Sequence, residues 1–176
     1  MLIMDSLILH GVRFAAEAHH GVTRKWSTTP YIVHPMRVMN RMMLHPLGDD
    51  VNILLACVCH DILEDCPQVG WSALIGAIGL EAAHMVEELT NPSKQHPELN
   101  RAQKKTMDRE HLKTVSLAAR CIKLIDRADN VRDMGRDAAY WERDRYFAES
   151  ELLLTALTGS DQDLEAELAT ALHLER

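Results

Sequence analysis

A chain of 176 residues, 47% hydrophobic and 26% charged, is long enough for one domain with a real core, and no Gly/Ser/Pro-rich stretch divides it. An aromatic fraction of only 5% and the scarcity of β-branched runs exclude an all-β fold and predict an all-α one. A formal net charge of −7 and a pI near 5.8 exclude a broadly basic surface, so neither duplex nucleic acid nor membrane is an expected partner, and an anionic ligand must meet a local basic patch.

The first expected helix covers residues 5 to 20, with Leu7, Ile8, Val12, Ala15, Ala16 and His19 at helical spacing behind Asp5 or Ser6 as N-cap. Gly, Ser, Thr and Pro30 then break the pattern from Gly21 to Val33, a loop that carries the basic pair Arg24 and Lys25. Pro35 suits the first turn of a second helix through Met39 and Met43, which leaves His34 at the loop-to-helix junction. A third helix is expected from Asp50 through the apolar run ILLACVC to about Asp65, where Pro67 stops it. Trp71 to Ile78 and Leu80 to Thr90 read as two helices parted at Gly79, and NPSKQHP reads as a loop. The polar stretch NRAQKKTMDREHL, then residues 115 to 134, 137 to 157 and 161 to 174, supply four more helices.

Cys57, Cys59, Cys66 and Cys121 lack CxxC spacing, and on a helix Cys57 and Cys59 point about 200° apart, so buried reduced thiols are expected. The opening MLIMDSLILH places Asp5 where a signal peptide needs positive charge, and no apolar run reaches spanning length, so the expected address is cytoplasmic. Met36, Met39, Met42 and Met43 are read as core filler, and Trp71, Trp141 and Tyr146 as packing anchors. His10, His19, His20, His45, His84, His96, His111 and His173 are read as surface or packing residues.

The informative feature is acid in an unfavourable place. HDILED sets Asp61, Glu64 and Asp65 in the expected last turn of an apolar helix, against its dipole and as like-charge neighbours at i+3 and i+4. A cation would compensate, and His60 adds an imidazole to the carboxylates of the same turn. Mixed nitrogen and oxygen donors suit Mn²⁺, Fe²⁺ or Mg²⁺ better than a thiolate cage would. Asp126 interrupts the apolar run CIKLI, with Asp129, Asn130 and Asp133 following on its helical face, and His34 can project from its junction. Singly, each residue is ordinary; an isolated His-Asp pair is common and an acidic helix end can be solvated. Their combination is not.

The stretches AHHGVTRKWSTTPYIVHP at 18 to 35, HDILED at 60 to 65 and IKLIDRADNVRD at 122 to 133 resemble the HD-domain superfamily, and within it the RelA/SpoT-type hydrolase domain. The resemblance spans roughly residues 5 to 157 and leaves no room for a synthetase or regulatory domain, so the expected form is a stand-alone small alarmone hydrolase of the metazoan SpoT-homologue kind. It implies one HD-type domain over 1 to 176: a compact multi-helix bundle with its metal site between central helices.

It also implies that His34, His60, Asp61 and Asp126 hold one Mn²⁺, with about two positions of an octahedron left open. Glu64 and Asp65 match the family residues that orient or deprotonate the attacking water. Arg24 and Lys25 match the Arg-Lys pair that lies against the nucleotide, and Asn130 the asparagine facing it. The implied reaction removes diphosphate from the 3′ position of (p)ppGpp, giving GDP or GTP. Arg101, Lys104 and Lys105 form a second basic cluster that is expected to meet phosphate; the competing reading is a solvated helix face with Glu110 as partner. Cys66, Val22 and Trp26 depart from the family pattern and leave base preference open, as the sequence leaves the oligomeric state. Two other readings stand beside this one: the same chemistry on ppApp or NADPH, and a helical module that senses a nucleotide without turning it over.

Overall fold

The computed structural model describes residues 2–25, 27–134 and 139–175. They are helical, as the composition predicts, and among them the only β-type pairing is an isolated bridge between Thr23 and Pro30. Trp26 and the start of the helix expected from residue 137 lie outside the described residues. No described helix is long and apolar enough to cross a membrane. The chain forms two compact units, one ending at Thr90 and the other beginning at Asn91.

The first unit contains α1 (Leu2–Ala18), α2 (Val33–Met42), α3 (Val51–Cys59), α4 (Ile62–Asp65), α5 (Trp71–Ile78) and α6 (Leu80–Leu89). α3 is its centre. Every residue from Ile53 to Cys59 is buried, and the helix packs against α1, α2 and α6, which is what an all-round apolar surface requires. Asp50 caps it, its carboxylate accepting from the Asn52 amide at 2.8 Å. The two-helix reading of residues 71 to 89 is correct, and Gly79, at φ 82°, makes the break.

Three expectations for this unit need correction. α1 starts at Leu2, so Asp5 and Ser6 lie inside it rather than cap it; an apolar N-terminal turn continued the helical pattern past both. Among the methionines, Met39 and Met42 are core, whereas Met36 and Met43 are 42% and 53% exposed, because the buried stripe of α2 runs through His34, Pro35, Val38, Met39 and Met42. The third helix does not reach Asp65: α3 ends at Cys59, the chain turns at His60 and Asp61, and α4 starts afresh at Ile62.

The second unit contains α7 (Arg101–Leu112), α8 (Leu117–Asp133), α9 (Tyr140–Ala156) and α10 (Gln162–Leu174), preceded by a 3-10 turn at Pro92–Gln95 within the expected loop. α10 packs on α8 and α9, and α7 on α9 and the turn. Their starts are chemically explicit. Asn100 and Gln103 form a capping box on α7, Ser116 accepts from the Ala119 amide, and Asp161 from the Leu164 amide. Phe147, Leu153, Leu164 and Leu168 form buried parts of this core. Trp141 is no packing anchor; it is 62% exposed beneath the Arg145 guanidinium, 5.0 Å from its ring centre.

Candidate metal centre

At the C-terminal end of α3 the last carbonyls lack intrahelical donors. His60 supplies one: its Nδ1 lies 2.7 Å from the Cys57 carbonyl oxygen. A carbonyl only accepts, so Nδ1 carries the hydrogen and Nε2 of the neutral ring bears the lone pair. That lone pair sits 3.0 Å from Asp61 Oδ2. His34 enters from the first turn of α2, fully buried, with Nε2 3.7 Å from the same oxygen and its ring edge-on to His60 at 5.2 Å. One donor atom from each of His34, His60 and Asp61 lies within 4.8 Å of the others.

Two buried imidazoles facing one carboxylate oxygen form an electron-rich cluster, and a lone pair 3.0 Å from an anionic oxygen requires positive charge between or on the two groups. A divalent cation fits that requirement. The donor set is nitrogen and oxygen without thiolate, and a metal-binding histidine characteristically donates its other ring N–H to a backbone carbonyl, as His60 does.

The turn at His60 and Asp61 also explains how the acids are tolerated. Asp61, with φ −96° and ψ −3°, is the residue before α4, so Glu64 and Asp65 stand in the first turn of a short separate helix rather than in the last turn of α3. Asp61 does not use its carboxylate as a cap; that carboxylate faces His60 and the hydroxyl of Tyr31, which donates to Oδ2 at 2.6 Å. The same hydroxyl is 3.2 Å from Asp65 Oδ2. Glu64 is half-buried and Asp65 exposed.

The Thr23–Pro30 bridge and the Arg24 amide on the Thr29 carbonyl, at 2.8 Å, close the basic loop. Arg24 lies over the Tyr31 ring at 5.3 Å, within cation–π range, and Lys25 is exposed. His19 is the packing histidine expected: 4% exposed, 4.5 Å from the Tyr31 ring, with Nδ1 3.4 Å from Cys66 Sγ. Burial lowers its pKa against the opposing pull of Asp61 and Asp65.

In the second unit Asp126 is buried in the middle of α8, with Lys123 Nζ 2.8 Å from Oδ2 and the Asn130 amide nitrogen donating to Oδ1. Asn130 therefore orients Asp126, a contact the sequence reading did not include. Arg101, Lys104, Lys105 and Lys94 line one cleft of about 500 Å³. Arg101 grips Glu149 of α9 with two nitrogens, at 2.7 and 2.8 Å, while Glu110, the partner considered from the sequence, pairs with Lys113. The Lys105 ammonium is held below its ordinary pKa by burial and by Arg127, with Asp108 pulling the other way.

The structure thus brings together three of the four expected ligands, with Glu64 and Asp65 on the adjoining turn, and places Asp126 in its own unit with Lys123 and Asn130. Tyr31 and Lys123 carried no assignment from sequence. The available signals were weak: a tyrosine three residues before His34, and a lysine inside the apolar run of α8.

Residues 11–155 match the family model described as HD domain. The chain is 33% identical to a Xenopus tropicalis protein named guanosine-3′,5′-bis(diphosphate) 3′-pyrophosphohydrolase MESH1, over 93% of this chain and 91% of that one. It is 32% identical to the human protein of the same name, over 92% and 90%. Among solved structures it resembles a metazoan orthologue of SpoT described as hydrolysing ppGpp and playing a role in starvation responses, with TM-score 0.84, 25% identity and coverage of 96% and 94%. With a family match over most of its length and relatives above 30% identity over nine-tenths or more of each chain, the chain belongs to the HD-domain family, alongside the MESH1 pyrophosphohydrolases.

Proposed function

We propose that this chain is a metal-dependent nucleotide pyrophosphohydrolase that removes the 3′-diphosphate from (p)ppGpp, giving GDP or GTP and diphosphate, with both units serving one domain-level activity. The observation that carries this reading is the convergence of His60 Nε2 and the buried His34 on the Asp61 carboxylate, with the His60 ring tied by its other nitrogen to the Cys57 carbonyl. The names borne by relatives that align along nearly the whole chain supply the substrate class.

His34, His60 and Asp61, with Asp126 as fourth ligand on the strength of the sequence motif, would hold one divalent ion, Mn²⁺ in this proposal. When bound, such an ion supplies Lewis-acid stabilisation of phosphoryl charge and a more acidic water. The protein's own groups do the rest. Glu64 or Asp65 takes the proton of the attacking water, whose oxygen bonds to phosphorus as the bond to the ribose 3′ oxygen breaks; that oxygen leaves as a hydroxyl, taking its proton from solvent water. Arg24 is seated to stack on the base, and Lys25 meets phosphate as a point charge. Asn130 faces the nucleotide, and Arg101, Lys104 and Lys105 offer a second anionic contact. The proposed address is cytoplasmic.

The test is a side-by-side assay of the Mn²⁺-loaded protein on ppGpp, ppApp and NADPH, following diphosphate and phosphate release, with Glu64→Ala and Asp65→Ala as controls. Rapid diphosphate release from ppGpp, lost in both variants, is expected. A loaded protein that leaves ppGpp intact over hours overturns the assignment, and faster turnover of ppApp or NADPH moves it to that substrate.

A further inference from the structure

Tyr31 reaches the site from the loop that carries Arg24, and its place there is fixed at several points. Its amide donates to the Val22 carbonyl at 2.9 Å and its carbonyl accepts from the His34 amide at 3.0 Å, so the tyrosine is set by the same turn that opens α2. Its ring stacks on His19 at 4.5 Å and stands edge-on to His34 at 6.1 Å, while Arg24 covers it at 5.3 Å. The hydroxyl then meets two carboxylates of different assignment, Asp61 at 2.6 Å and Asp65 at 3.2 Å.

A phenol has one hydrogen to donate. The shorter contact is the charge-assisted bond, and it goes to Asp61 Oδ2, the oxygen that also faces His60 and His34. The longer contact leaves the exposed Asp65 carboxylate beside the same hydroxyl, which has no second hydrogen to give it.

We infer that Tyr31 is a positioning residue of this site: its hydroxyl fixes the orientation of the Asp61 carboxylate, and its ring independently seats the Arg24 guanidinium. This rests on the proposed hydrolase reading for the roles of Asp61 and Arg24. The two halves of the side chain therefore have separable consequences. The hydroxyl governs metal affinity and turnover, and the ring governs nucleotide binding. Hydrogen-bonded partners of metal ligands commonly matter by about 10- to 100-fold in affinity or activity.

The experiment compares the full-length wild type with Tyr31→Phe and Tyr31→Leu, measuring Mn²⁺ binding by calorimetry, thermal melting, and kcat and KM on ppGpp. Tyr31→Phe is expected to keep the wild-type melting profile in metal-free buffer and the wild-type KM, while Mn²⁺ affinity and kcat each fall by about 10-fold or more. Tyr31→Leu is expected to show the same losses and a raised KM as well. A folded Tyr31→Phe with wild-type Mn²⁺ affinity and wild-type kcat overturns the inference, as does a Tyr31→Phe whose only change is in KM. A wild type that binds Mn²⁺ without hydrolysing ppGpp defeats the proposed function alone, and weakened Mn²⁺ binding in Tyr31→Phe still supports the positioning role. A wild type that binds no Mn²⁺ defeats both.

Discussion

Replacing Asp108 by alanine tests whether a buried carboxylate organises the basic cleft of the second unit. Asp108 and Ser93 are each 5% exposed, and the carboxylate accepts from the Ser93 amide at 3.2 Å and the Ser93 hydroxyl at 3.0 Å. Alanine strands both donors away from water. At about 1–3 kcal/mol for each orphaned group, the gross loss is roughly 2–6 kcal/mol, and release of a buried charge returns part of it. We expect a net loss of about 3 kcal/mol, which at roughly 2–4 °C per kcal/mol for a chain of this size lowers the melting temperature by about 6–12 °C. Asp108→Asn, which keeps the shape and one acceptor oxygen, should lose about half as much. Circular dichroism melts give the magnitude, and amide exchange at Ser93 gives the location: its protection should fall more than that of Leu124 in the core of α8. The effect should also reach the cleft, because Ser93 lies in the Pro92–Gln95 turn that carries Lys94. An Asp108→Ala protein that melts within about 1 °C of wild type would refute the two-donor account.

Gly48→Ala should cost about 1–3 kcal/mol in a thermal melt, because a Cβ there would lie 2.3 Å from the Met42 carbonyl oxygen and 2.7 Å from Met43 Cα, backbone atoms that cannot swing aside. All four cysteines should resist an aromatic disulfide reagent at pH 8 in the native protein and react in guanidinium; all are buried, and burial pushes the Cys59 thiol up to about 12 and that of Cys121 up to about 11. A native thiol reacting at the rate of a free peptide would contradict this. For His19, burial lowers the folded pKa below the ordinary 6.5, so between the two values the unfolded chain binds more protons and stability falls as pH drops through that window. Urea midpoints in metal-free buffer at pH 7.5 and pH 5.5 should show a larger acid loss for wild type than for His19→Gln, and equal losses would disprove the linkage.

What could be read in advance followed local chemistry. Gly79 between two apolar periods marked the α5–α6 break, and the positions of His34, HDILED and Asp126 were visible as polar groups set into apolar patterns. What could not be read depended on distant partners or on a break without a breaker. Residues 51 to 65 hold neither glycine nor proline, so nothing in their periodicity reports that the helix stops at Cys59. The Arg101–Glu149 pair joins positions 48 residues apart. Tyr31 sits in a loop, where an aromatic has no periodic face to betray its direction, and its hydroxyl finds Asp61, 30 positions further on, only when the chain folds back.

The unannounced break is what makes the site chemically coherent. Had α3 run on to Asp65, three carboxylates would have crowded the negative end of an apolar helix, each opposed by the helix dipole and by its neighbours at i+3 and i+4. Turning at His60 and Asp61 changes the first of these, because Glu64 and Asp65 then stand in the first turn of α4. The carbonyl of Cys57, in the last turn of α3, becomes the acceptor for the His60 ring, which turns the opposite nitrogen toward Asp61. Asp61, freed from the α3 register, gives its backbone carbonyl to the Glu64 and Asp65 amides and its carboxylate to His60 and Tyr31. A single departure from helical geometry thus orients an imidazole, aims a carboxylate at it and starts the turn that bears the two remaining acids. The electrostatic cost left over is concentrated at one point, between buried imidazoles and a carboxylate oxygen, where one small cation can relieve it.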